Sequence, residues 1–398
     1  MFARDRIWRA LAACVLAAGL MTGGSAHAVD PPVRIGLDAD MTADSALSGE
    51  AIRRGAALAV VELNQAGGIL GRPVEMLVLD HRGVPSRGLD NIEIMATMTG
   101  LVAVLGGVHT PVALHELPAL HENRIIYLDV WASGTPIIEN GYDPNYAFRV
   151  AISDSLAGDF LVTSALERGY RRPALLLMET GWGRSNEKAM TAALAERDMK
   201  PAAVEWFRWG TKSLAPQIER IARSGADVIL MVAGIREGPV AVRDMAARPE
   251  YARLPIISHS GITSGDFFAA TKDSLGKVDL SFLQSYSFVD PPHPGRAKRF
   301  LANFSKLYPE GAVPEKIAAP PAVAHAYDAV NLLARAIEKA GTLDRPAVRD
   351  ALEHLGPYEG LVRDYDPPFT PQRHDALTDA DYFLARFDAD GTIVPDRQ

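Results

Sequence analysis

Polar and aromatic side chains in this sequence gather directly after short apolar runs. His109 and Thr110 follow the run at 101–105, and Asp129, Trp131 and Ser133 follow the run at 125–128. Further along, Trp182 follows 174–178, Arg236 follows 228–232, and His259 and Ser260 follow 255–258. Short, uninterrupted, partly β-branched runs read as strands buried on both faces. In open α/β sheets ligands collect at the carboxyl ends of such strands. Hydroxyls and backbone N–H groups suit a carboxylate, a guanidinium suits an anion, and indole rings suit an apolar or unsaturated body. Each residue singly fits an ordinary loop; together they point to one cleft.

The chemistry expected there is binding. The sequence contains no Gly-x-Ser-x-Gly elbow, no Gly-Lys-Ser/Thr phosphate loop and no His-Glu-x-x-His pair. His115-Glu116 and His121-Glu122 stand six positions apart on one helix, which puts the imidazoles on different faces and argues against a metal site. Gly181-Trp182-Gly183 alone is a weak nucleotide signal. The expectation is therefore no enzyme, no cofactor and no metal.

The elements that must position these residues alternate. Leu101 to Leu105 ends at Gly106-Gly107, and Thr110 is expected to cap a helix with Pro111 in its first turn, aiming N–H groups back at the strand end. Strands are expected at 33–37, 74–79, 101–105 and 125–128. Helices are expected at 48–64, capped by Ser48, and at 86–98 and 111–121. Residues 147–150 are expected to break the rhythm. A second series then places strands at 174–178, 203–207, 228–232 and 255–258. The stretch 322–340 is amphipathic, with Val323, Tyr327, Val330, Leu333 and Ile337 on one face, and should cover the first sheet. Residues 381–387 and the turn at Gly391 suggest a closing hairpin.

Length and charge are compatible with two domains and exclude some partners. The 398 residues carry a net charge of −8 and no Lys/Arg block, which argues against nucleic acid. Arg4, Arg6 and Arg9 precede an apolar run from Ala10 to Met21 and a small-x-small site at Ala26-His27-Ala28. This reads as a signal peptide over 1–28, with the mature chain starting near Val29 and located in the periplasm. The run is too short to span a bilayer stably. Cys14, the only cysteine, mimics a lipoprotein processing box but lies too early in the apolar run, and its removal leaves no thiol for a disulfide.

Asn64-Gln-Ala-Gly67-Gly68-Ile69-Leu70-Gly71-Arg72-Pro73, the Ile35-Gly36 strand, Val104-Leu105-Gly106, Gly181-Trp182-Gly183-Arg184 and Asp388-Ala-Asp-Gly391 follow one another in an order that resembles the periplasmic branched-chain amino-acid-binding protein family. These are type I solute-binding proteins of ABC transporters. The resemblance implies an α/β fold of two doubly wound parallel-sheet lobes that close like a Venus flytrap. It implies three crossovers near Ser153, Ser285 and Pro371, with lobes at 29–152 plus 286–371 and 153–285 plus 372–398. By position Thr110 matches the residue holding a ligand carboxylate, Ala132 and Ser133 the next contacts, and Trp182 the covering aromatic. The acidic partner of a ligand α-ammonium appears here as Ser260, and a buried ammonium without a carboxylate is costly; Arg236 favours an anion, while Asp40 or Asp129 could compensate. The expected function is delivery of a small carboxylate-bearing ligand, with an aromatic one suited by Trp131 and Trp182, to an ABC permease by a monomer. The alternatives are a branched-chain amino-acid or amide binder and a ligand-sensing regulator.

Overall fold

The computed structural model describes residues 30–309 and 313–397. The expected signal peptide, with Cys14, lies outside the described residues. No helix among those described is long and apolar enough to cross a membrane.

Five strands form the first sheet: β1 (Val33–Ala39), β2 (Val74–Asp80), β3 (Leu101–Gly106), β4 (Ile126–Asp129) and β5 (Ala147–Arg149), in the order β2-β1-β3-β4-β5. All neighbours are parallel. β3 is buried at every position, as its unbroken apolar sequence requires for a central parallel strand. β5 corrects one expectation: residues 147–149 do not break the rhythm but add the fifth strand, too short to show a pattern of its own.

The second sheet contains β6 (Pro173–Met178), β7 (Val204–Phe207), β8 (Val228–Val232), β9 (Ile256–Ser258) and β10 (Leu280–Gln284). After a small hairpin, β11 (Tyr358–Glu359) and β12 (Asp364–Tyr365), the chain returns as β13 (Phe383–Phe387) and β14 (Ile393–Pro395). The order is β14-β13-β10-β9-β8-β6-β7. β6 to β10 run parallel, and the expected tail hairpin adds β13 and β14 antiparallel. Both sheets thus share one plan, in which the first strand of each series lies between the second and third. That arrangement makes a switch point, with a crevice, at the carboxyl ends of the strands.

The late helices cover the first sheet as expected. Pro320–Ala340 packs along Ala46–Gln65. Val323, Val330, Leu333 and Ile337 are fully buried there, each contributing up to about 1.5–3 kcal/mol as an upper bound. Polar contacts fix them: the Tyr327 hydroxyl donates to Glu62 Oε2 at 2.6 Å, and Asn303 Nδ2, from the helix Pro294–Leu307, donates to Glu62 Oε1 at 2.7 Å.

Arg149 ties the connecting segments together. It is fully buried at the end of β5, and its guanidinium meets Asp375 through Nε at 2.6 Å and Nη2 at 3.2 Å, Ser153 Oγ at 2.9 Å and the Gly134 carbonyl at 3.0 Å. The backbone does the same: Arg149 N–H donates to the His374 carbonyl, and Ala376 N–H to the Arg149 carbonyl. Residues 374–376 therefore remain bridged to the first sheet.

Candidate functional site

Loops from the carboxyl ends of strands in both sheets line one cavity. From the first sheet come Asp44 and Ser45 after β1, Val108 to Pro111 after β3, and Trp131 to Ser133 after β4. From the second come Thr180 and Trp182 after β6, Trp209 after β7, Gly234 to Glu237 after β8, and His259 to Gly261 after β9. The cavity measures about 70 Å³.

The first wall is built on a tight turn. Gly107 has φ +99°, and a Cβ there would lie 2.1 Å from Asp129 Oδ1, so only glycine lets the β3 loop lie over β4. The helix Thr110–Glu122 follows. His109, rather than Thr110, holds the position before the helix, and Thr110 is its first residue with Pro111 second. The Thr110 hydroxyl oxygen accepts from Gly134 N–H at 3.3 Å, which leaves the hydroxyl proton to donate toward the cavity. Ser133 is nearly buried beside it.

Asp129 is not part of the cavity lining. As the last residue of β4 it is fully buried, with Oδ1 accepting Trp131 N–H at 3.0 Å. Burial, opposed by Arg149 and two backbone amides, pushes its carboxyl up to about 8. It shapes the loop that carries Trp131. Asp40 is likewise withdrawn: burial would raise its carboxyl, but His109 and the Ser45 and Ala43 amides outweigh that and hold it at about 2.

The second wall carries Trp182, Trp209, Arg236, Glu237 and His259. Thr180 caps the helix Gly181–Ala195 by accepting Gly183 N–H at 3.3 Å. Trp182, second in that helix, lies against Gly261, where a Cβ would come within 2.3 Å of Cη2. It also meets the His259 ring edge-on at 5.1 Å. His259 Nδ1 accepts Ser260 N–H at 2.8 Å, so the ring proton is assigned to Nε2, 3.2 Å from Asp154 Oδ1. Asp154 is fully buried; burial would raise its carboxyl, but His259 and the Ser133 and Ser185 hydroxyls hold it below the usual range.

Arg236 lines the cavity, and its charge already has a partner. The guanidinium is half exposed at the rim and paired with Asp44 of the opposite wall. Further contacts cross there: Ser48 Oγ donates to the Ser264 carbonyl at 3.1 Å, Ser45 Oγ and Ser264 Oγ lie 3.4 Å apart, and the Trp209 ring meets His109 at 5.6 Å. The walls are closed on each other.

Of the nine residues expected from sequence, His109, Thr110, Trp131, Ala132, Ser133, Trp182, Arg236 and Ser260 line this one cavity, and Asp129 stands behind it. Asp44, Thr180, Trp209 and Glu237 were not among them. Trp209 follows β7 as Trp182 follows β6, so the strand-end rule could have found it. Glu237, only 1% exposed, carried no signal beyond being next to Arg236. No cluster of metal-ligating side chains occurs among the described residues.

Comparison with known proteins agrees with this architecture. A family model for periplasmic binding proteins matches residues 32–392. A Leu/Ile/Val-binding protein homolog from Brucella abortus is 25% identical over 363 residues, 90% of this chain and 91% of that protein. Among solved structures, a type 1 periplasmic binding protein from Bordetella pertussis has a TM-score of 0.82 at 21% identity, covering 92% of this chain and 100% of the other. A solute-binding protein of an ABC transporter from R. palustris, in complex with 4-hydroxybenzoate, has a TM-score of 0.76 at 18% identity, covering 92% and 96%.

Proposed function

Since this chain belongs to the periplasmic binding protein family, we propose that it is the periplasmic solute-binding component of an ABC importer, taking a small carboxylate-bearing ligand with an apolar or aromatic body between its two walls. One observation carries this reading: the hydroxyl of Thr110, at a helix N-terminus, and that of Ser133, in the loop after β4, share one cavity with the indoles of Trp131 and Trp182. A carboxylate on the hydroxyl side is favoured by helix N–H groups, and the indoles bury a flat apolar body.

The first lobe comprises residues 29–152 and 286–376, the second 153–285 and 377–398, with crossings near Ser153 and Ser285 and after Ala376. The sequence expectation put the third crossing near Pro371; the backbone bridge from Arg149 to residues 374–376 supports taking it a few residues later. A ligand touching both walls stabilises their closure by its differential affinity for the closed state, and the permease reads that closure in a monomeric protein. Micromolar binding, about 8 kcal/mol, is within reach of a few charge-assisted hydrogen bonds and aromatic burial after ordering costs.

A second reading, an amino-acid binder, is favoured by Glu237, a buried carboxylate in the cavity, and by the relatives named for leucine, isoleucine and valine. A thermal-shift screen separates the two. A ligand at 100 times its Kd adds about 2.7 kcal/mol, so aliphatic or aromatic acids should raise the melting temperature by several degrees while leucine and valine leave it unchanged. A shift with leucine alone replaces the first reading by the second.

A further inference from the structure

Glu237 is the first residue of the helix Glu237–Ala246 and one of the most deeply buried ionisable side chains on the cavity wall, 1% exposed. Gly210 N–H donates to its Oε1 at 2.7 Å. No described side chain donates to either carboxyl oxygen, and no described cation pairs with it, because the adjacent Arg236 is turned outward to Asp44. Burial shifts the carboxyl upward, against the opposing pull of the Gly210 amide, its own backbone N–H and the Arg236 charge, and Asp44 adds a little to the rise. A buried acid on a ligand wall with no cationic partner has unused acceptor capacity.

We propose that Glu237 is the specificity residue of the second wall and accepts a hydrogen bond from a hydroxyl at the end of the ligand opposite its carboxylate, making the ligand class hydroxy-carboxylates. This rests on the functional reading above. Thr110 and Ser133 lie on the first wall and Glu237 on the second, so a molecule bridging them presents a carboxylate to one and a different polar group to the other. A hydroxyl fits better than an ammonium. An ammonium brings three donors, while Ser260 stands where the resemblance expects an acid and His259 Nδ1 is occupied by Ser260 N–H. A hydroxyl brings one donor and can also accept. The indole N–H of Trp182 on the same wall is buried without a hydrogen-bond partner among the described residues, so a group that accepts as well as donates suits this wall.

Glu237 also holds the loop of Trp209 through Gly210, and that structural role has to be separated from recognition. Isothermal titration of the purified protein with matched pairs does so: 4-hydroxybenzoate against benzoate, and 4-hydroxybutyrate against butyrate, with leucine as a further arm, repeated in Glu237→Gln and Glu237→Ala. The expected result is that the hydroxylated member of a pair binds about 10-fold or more tightly and that both variants abolish the difference. A variant that weakens both members equally, or a parent that does not distinguish them, overturns the proposal and leaves the carboxylate reading standing. Leucine binding that depends on Glu237 overturns it in favour of an ammonium. Binding of none of these acids removes the reading on which it rests, and the proposal with it.

Discussion

Asp129 and Asp154 are both fully buried behind the cavity, one under each wall, and they are accommodated in opposite ways. Behind the first wall burial pushes the carboxyl of Asp129 up to about 8 and that of Asp38 to about 7, and Glu116, buried against Asp38, rises well above its ordinary value. Burial thus favours the protonated form of each of these acids. Behind the second wall Asp154 faces the Nε2 of His259 and hydroxyls, and stays ionised. The contrast bears on function. A ligand carboxylate seated at Thr110 would be repelled by three ionised acids beneath it, and protonation removes that repulsion. The second wall keeps its charge, which orients His259 beneath Trp182.

Removing the imidazole that faces Asp154 should have the largest effect. His259→Ala leaves Asp154 buried without its partner, and urea unfolding should show a loss of about 3–5 kcal/mol. Asp129→Asn, which replaces a protonated acid by a neutral isostere, should change stability at pH 6 by less than about 1 kcal/mol. Equal losses in the two variants would erase the distinction between the walls.

The pH dependence sharpens the same comparison with a smaller effect. An acid whose pKa is raised on folding stabilises fully below its unfolded value near 4, and that stability is lost as pH rises through 7 to 8 for Asp38 and Asp129. Asp154, held low, contributes above its unfolded value and loses its contribution only in acid. Unfolding free energy should therefore fall by at least about 1 kcal/mol between pH 6 and pH 9, less steeply in Asp129→Asn. A flat profile over that range would show that the first-wall acids are ionised in the folded protein.

Much of the cavity was legible because parallel sheets place ligands at strand ends, a rule that needs only the strands and the residues following them. Where it failed, side-chain direction was hidden. Ile126–Asp129 is buried on both faces, so no alternation in its sequence tells that Asp129 turns under the neighbouring loop. Arg236 was found, but its pairing depends on Asp44, nearly two hundred residues away in sequence. β5 is three residues long, too few for periodicity, and the bridge from Arg149 to 374–376 is a contact between distant segments that leaves no local trace.

The central claim is that Thr110 and Trp182 grip one ligand from opposite walls. Calorimetric titration of Thr110→Ala and Trp182→Ala with whichever acid the screen selects tests it most directly. Each variant should keep its unfolding curve and lose about 10-fold or more in affinity, from a charge-assisted hydrogen bond in one and aromatic burial in the other. Unchanged affinity in both would contradict the account, because a ligand that needs neither residue is not held between these walls.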